Sequence, residues 1–189
     1  MTLAMVTPPA HEPLGLDDIK VHLRIDHSDE DLLLTDTLKA ARQYVELASG
    51  QKLITQVWRQ YETCFPADRE LELKVAPVQG VVAITAFDAE GNPHVLGAEE
   101  TMLVRGTDPA VLRFSDDFDS GLATNGLEID LTVGMGDFGL DVDDALKRAI
   151  LLLVAHWYEF RGAIPPAQQP VSLPAGFDNL MAPYRRLAL

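Results

Sequence analysis

The chain is poor in cysteine, in basic residues and in long apolar runs, and each shortage narrows what it can do. Among 189 residues there is one cysteine, Cys64. That excludes an intramolecular disulfide and a cysteine-based zinc cluster, and it suits a reducing cytoplasm. Lys and Arg number 15 against 29 Asp and Glu, a formal net charge of −14. Nucleic-acid affinity rests mostly on Lys and Arg neutralising phosphates, so a general phosphate binder is not expected. Such acidity suits solubility, a basic partner surface, or a wall to which DNA does not adhere. The longest unbroken apolar run, Ala149 to Ala155, is far short of the roughly 20 residues of a membrane span. The opening MTLAMVTPPAHEP has neither a basic n-region nor an apolar h-region, so no signal peptide is expected. There is no G-x-S-x-G, no P-loop, no H-E-x-x-H and no internal repeat.

What is present suffices for a sizeable core, since 47% of residues are apolar and 23% charged. At this length one domain, residues 1–189, is expected. Pro8, Pro9 and Pro13 make Met1 to Pro13 an irregular arm. Leu14 to Asp26 reads as a short helix, with Leu16, Ile19 and Leu23 on its apolar side and Asp17 and Asp18 in the first turn. Ser28 or Asp29 can cap a second helix from about Glu30 to Ser49. Its periodic face is Leu33, Thr37, Ala40/Ala41, Tyr44, Val45 and Ala48, and Gly50 stops it.

Residues 53–133 change character to short β segments between turn residues. They are LITQVWRQYETCF, LELKV, VVAITAF, TMLVRG, AVLRF and LEIDLTV, with Asp88-Ala89-Glu90-Gly91 as a hairpin turn. Asp141 to Gly162 then reads as one long helix. Asp141, Asp143 and Asp144 crowd its first turn, where carboxylates meet free amides and the positive end of the dipole. Val142, Leu146, Ala149/Ile150, Leu153, Trp157 and Phe160 form its apolar face, and Leu151, Leu152 and Val154 widen the stripe beyond half the circumference. Arg161 and Gly162 end it. Prolines between Ile164 and Pro174 make a stiff connector to a short amphipathic piece, Phe177, Leu180, Met181 and Tyr184, beside Arg185 and Arg186. The fold class expected is α+β. Two N-terminal helices, a long core helix and a short C-terminal helix form a small bundle, with a β-rich insert between the second and third long helices.

Several constellations suggest chemistry. Gly134-Met-Gly136-Asp-Phe-Gly139 spells G-x-G-x-x-G after a strand and before a helix. The acidic first turn of that helix repels a pyrophosphate, and prolines stand where a βαβ unit needs its second strand, so a plain glycine turn is the reading. Asp117, Asp119 and Glu128 echo a calcium loop, but Leu122 replaces the glycine at its sixth position. His22, Asp26 and His27 have no zinc spacing. His156 reads as a core or interface histidine, and Cys64 as an incidental thiol. No cofactor and no metal are expected, and no nucleophile, base and oxyanion donor assemble.

The ordered set LGLDDIKVHLRIDHSDEDLLL, AARQYVELASGQ, W-x-x-Y, PV-x-x-V-x-x-I, LKRAILLLVAHWYEFR and LPAGFDNLMAPYR resembles the head–tail connector (adaptor) proteins of tailed bacteriophages and phage-like gene transfer agents. The resemblance spans about residues 14 to 186. Phe160, where a polar residue is expected, and the lengthened acidic SDDFDSGLATNG region depart from it. It implies a structural, non-catalytic adaptor in a ring, typically twelve-fold, between portal and stopper or tail. DNA would pass through the lumen without specific binding. The protein would be cytoplasmic during assembly and then sit at the head–tail junction of the particle.

In that setting residues 14–50 are helical, 53–133 the insert, 141–162 the core helix and 163–189 a docking tail. Phe177, Leu180, Met181, Tyr184, Arg185 and Arg186 are expected to contact the portal. Leu146, Ile150, Leu153, Trp157, Tyr158 and Arg161 are expected to pack subunits together. Deleting Ala163 to Leu189 is expected to leave a folded protein that no longer joins particles. The alternatives are a stopper or tail-completion protein, a monomeric binding module and, in another class, a small cytoplasmic nucleotide-binding enzyme using the glycine turn and His156.

Overall fold

Among the described residues the architecture is α+β, in the order one strand, two helices, seven strands, two helices. The computed structural model describes residues 2–160, 173–174 and 176–184. The chain divides into a sheet unit, Met1–Ala10 with Thr55–Met135, and a helical unit, His11–Ile54 with Gly136–Leu189.

In the sheet unit, β1 (Thr2–Thr7), β2 (Gln56–Glu62), β8 (Leu127–Val133), β4 (Val78–Phe87) and β5 (Pro93–Val95) form an antiparallel sheet in the order β1-β2-β8-β4-β5. A second sheet has the order β3-β7-β6, from β3 (Glu70–Glu72), β7 (Val111–Phe114) and β6 (Thr101–Val104). The central strand β8 shows the clean alternation of a half-buried strand. Leu127, Ile129, Leu131 and Val133 point into the core, while Glu128, Asp130 and Thr132 are only half-buried. The core joins them to Leu71, Leu73, Val75, Ile84, Leu112 and an aromatic cluster of Phe65, Phe114 and Phe118. On the other face of β8, Arg59 donates from Nε to Asp130 Oδ1 at 2.6 Å and from Nη1 to Glu128 Oε2 at 2.7 Å. This cross-strand pairing follows from the register, which sets Arg59 opposite Asp130.

The N-terminal stretch expected to be an irregular arm is instead β1, the edge of the larger sheet. Its prolines begin only at Pro8, so Thr2–Thr7 keeps the free amides that a ladder needs. The hairpin turn falls where expected. The Asp88 carboxylate accepts from the amides of Glu90 and Asn92 and pairs with His94, and these contacts hold its pKa well below the usual carboxylate range, His94 contributing most.

In the helical unit, α1 (Leu16–Leu23) and α2 (Asp31–Ser49) precede the sheet, and α3 (Asp144–Glu159) and α4 (Phe177–Met181) follow it. Asp18 caps α1 by accepting from the Gly15 amide at 2.8 Å. Gly50, at φ 71°, ends α2 as expected. Two expectations for α2 are corrected. No side chain caps it, and its N-cap is Glu30 rather than Ser28 or Asp29. Its buried face is Leu34, Leu38, Ala41 and Val45, one residue round from Leu33 and Thr37. The face also holds two charged residues, Arg42 and Glu46, and that is why apolar periodicity misplaces it.

Candidate functional site

The resemblance read from the sequence implies contact surfaces, so surfaces are the features to place in this chain of formal net charge −14. The long helix α3 supplies the frame. It starts at Asp144, after a 3-10 turn at Gly139–Asp141. The acidic cluster before it does not cap its amides as expected. Asp141 instead accepts from the Phe138 amide at 2.9 Å, and Asp143 accepts from the Tyr184 hydroxyl at 3.0 Å. A carboxylate therefore already holds the amide that a bound phosphate would need in the glycine turn. A Cβ at Gly136 would collide with that same Asp141 side chain.

Burial divides α3 into two faces. Val142, Leu146, Ala149, Ile150, Leu153 and Val154 are buried within the helical unit. Leu151, Leu152, Ala155, Trp157 and Tyr158 are half-buried, and Arg148 and Glu159 are exposed. Of the residues expected to pack subunits together, Leu146, Ile150 and Leu153 are thus core residues of their own unit and present nothing outward. Trp157 meets the Tyr44 ring edge-on at 6.0 Å, and the Tyr158 hydroxyl donates to Glu30. Arg161 and the expected stop at Gly162 lie outside the described residues.

The tail residues are likewise divided. Phe177 and Met181 are fully buried, Phe177 against Tyr44 with ring centroids 5.8 Å apart. They are core residues of the helical unit, not exposed anchors. Leu180 and Tyr184 are half-buried, and Arg185, Arg186 and most of the proline connector lie outside the described residues. Burial and the Asp143 contact push the Tyr184 phenol pKa up.

The weaker constellations do not assemble. Glu128 sits in β8 on Arg59, while Asp119 accepts from the Gly121 amide at 2.9 Å. Among the described residues no group of three His, Cys, Asp or Glu side chains could hold a metal ion. The His156 ring lies tilted against Phe160 with centroids 4.9 Å apart, and Cys64 is exposed.

Two features were not foreseen. One is a buried ion network on α2. Arg42 Nε donates to Glu12 Oε2 at 2.7 Å, its Nη1 lies 3.2 Å from Glu46 Oε2, and Glu46 Oε1 accepts from the Leu53 amide at 3.1 Å. The other is an open groove of about 820 Å³ in the helical unit. Its walls are α1, with Asp17, Asp18, Val21 and His22, and the outward side of α3, with Asp144, Lys147, Arg148 and Leu151. Its ends are Glu12–Gly15 and Gly139–Leu140. Burial and the Arg148 charge push the His22 imidazole pKa down. The sequence signal for the groove was Val21 and Leu140, apolar residues outside any periodic face.

Gly139 fixes the groove's end, because a Cβ there would overlap the Pro13 carbonyl oxygen. Backbone cannot yield as a flexible side chain does, so Gly139→Ala is expected to destabilise the protein by about 1–3 kcal/mol. Urea denaturation measures this; a change under about 0.5 kcal/mol contradicts the close approach.

Comparison with known proteins bears on what such surfaces serve. The family model described as Phage gp6-like head-tail connector protein matches residues 14–88. No curated protein sequence matches the chain. Among solved structures, a chain of the neck of an empty gene transfer agent (GTA) particle, computed with C6 symmetry, superposes with a TM-score of 0.83 at 26% identity. That match covers 100% of this chain and 97% of the other. A chain of the virion of a native GTA particle gives 0.83 at 27% identity, with the same coverage. A chain of the native GTA neck computed with C12 symmetry gives 0.80 at 25%, again covering 100% and 97%. Residues 14–88 are thus similar in sequence to the head-tail connector family, and the whole chain is similar in fold to chains of the GTA particle neck.

Proposed function

We propose that this protein is a structural adaptor that forms a ring in the neck of a phage-like particle, between portal and stopper or tail, and extends the DNA channel. The observation that carries this reading is the likeness of the whole chain to GTA neck chains, at a TM-score of 0.83. The C12 and C6 symmetries of those necks support a ring, probed in the native and empty particles respectively. A formal charge of −14 supports a lumen along which DNA slides without adhering. The role needs binding surfaces and no catalytic group. The protein would reach the head–tail junction from the cytoplasm of the producing cell.

Cryo-electron microscopy of native particles tests this. The expected result is density for this chain directly against the portal; density separated from the portal by another ring supports a stopper instead and overturns the adaptor reading.

For the tail, Leu180 and Tyr184 with Arg185 and Arg186 are the proposed portal contacts. A truncation after Tyr184 keeps Phe177 and Met181 in the core. It is expected to leave melting unchanged and to lower tail attachment, measured by the yield of complete particles. Full attachment by that truncation removes Arg185 and Arg186 from the docking surface.

A further inference from the structure

The helical unit carries two unlike surfaces that fit one another. The first is the groove between α1 and α3. Its rim exposes Val21 at 79% and Leu140 at 93%, with Leu14 and Leu151 deeper inside. Large apolar side chains this open to water beside a concave surface mark a contact site. The second is a ridge along α2, made of Leu32, Asp36, Lys39, Gln43 and Leu47. Leu32 is 77% and Leu47 80% exposed, and the three residues between them are exposed as well.

At about 100° per residue these five side chains fall within an arc of about 80° and span about 22 Å. That arc lies opposite Leu34, Leu38, Ala41 and Val45, which α2 turns to the core. On α3, Asp144, Lys147, Arg148 and Leu151 likewise lie opposite Leu146, Ala149, Ile150 and Leu153. The two helices pack on each other within one core. Ridge and groove therefore look away from it on opposite sides of the helix pair.

A closed ring of identical subunits needs such a pair. Each copy must present one surface to the copy ahead and a different one to the copy behind. The charges allow the fit. Asp17 and Asp18 on one wall of the groove face Lys147 and Arg148 on the other. The ridge carries one acid, Asp36, and one base, Lys39, with the neutral Gln43 a turn further on. Asp36 and Lys39 lie 3.9 Å apart and both side chains are more than half exposed. Water screens so open a pair, and exchanging it for closer partners costs little. The acidic wall can then take Lys39 and the basic wall Asp36, while Gln43 brings no charge that needs burying. Asp17 and Arg148 have no ion pair among the described residues. Leucines at both ends of the ridge match the apolar residues of the groove. We infer that the α1/α3 groove of one copy receives the outward α2 ridge of the next copy.

The inference rests on the ring reading above, and photo-cross-linking in purified particles separates the two. A benzoylphenylalanine placed at Leu140, in the full chain, is expected to give a covalent two-copy adduct on irradiation. Its second peptide should come from residues 31–49. The same probe at Val82, exposed in the sheet unit, should give no such peptide. Adding Leu47→Asp should lower the adduct about tenfold or more, since one buried leucine is worth that much at an interface. Unchanged circular dichroism would show that this variant still folds. An adduct from Leu140 to another protein, to another segment of the copy, or to nothing at all overturns the groove–ridge pairing while leaving the ring reading intact. Particles that lack the chain altogether overturn the ring reading and this inference with it.

Discussion

Arg42→Ala is expected to lower the stability of the helical unit by about 3–5 kcal/mol, the usual cost of breaking a buried ion pair from one side. The side chain is only 5% exposed and Glu46 only 3%. Removing the guanidinium leaves two carboxylates, Glu12 and Glu46, without their shared partner. Lys52 lies 3.7 Å from Glu46, but burial pushes its ammonium pKa down despite that carboxylate. The cost reaches beyond α2, because Glu12 and Glu46 fasten the entering segment and the Leu53 amide to it.

A Trp58→Phe background leaves Trp157 as the fluorescent reporter of the helical unit during urea denaturation. Arg42→Met with Glu46→Gln removes both charges yet keeps an acceptor for Leu53, so it should recover part of the loss. Lys39→Ala, on an exposed stretch of the same helix, should stay within about 0.5 kcal/mol. If Arg42→Ala costs less than about 1 kcal/mol, the network is not a structural fastener.

The same network shows where sequence reading stops. The β8 strand, the Gly50 stop and the Asp88–Gly91 turn were legible because each is set by neighbours a few residues apart. Apolar periodicity places α2 but turns its face by one residue, since Arg42 and Glu46 are charged in type and buried in place. Their partner Glu12 stands 30 positions away. Strand β1 escapes pattern reading for a related reason. Its pairing with β2 joins Thr2 to Tyr61 through backbone groups, and such bonds leave no side-chain pattern. The groove joins residues 12–22 to residues 139–151, a juxtaposition that only the packing of α1 on α3 creates. Family likeness identified the tail's place in the chain, but not which of its apolar residues face inward.

That last distinction decides how the tail behaves when cut. Phe177→Ala is expected to cost about 3–5 kcal/mol, as for other fully buried aromatic residues. Phe177 packs on Tyr44, which also meets Trp157, so α4 closes over residues of both α2 and α3. Met181, one turn on, is buried as completely. Deleting residues 163–189 removes both side chains and opens the space they fill. That deletion is therefore expected to destabilise the helical unit by at least as much as Phe177→Ala. The sequence alone leads to the opposite expectation, a shortened chain that stays folded, and urea denaturation decides between the two.

A particle defect in that deletion would say nothing about docking, because a weakened subunit fails to assemble for its own reasons. Asn179→Ala, on the exposed side of α4, is the matched control and should stay within about 0.5 kcal/mol. Urea denaturation followed through Trp157 reads all three. A Phe177→Ala variant within about 1 kcal/mol of the parent would mean that α4 is not part of the core, and would return Phe177 and Met181 to the docking surface.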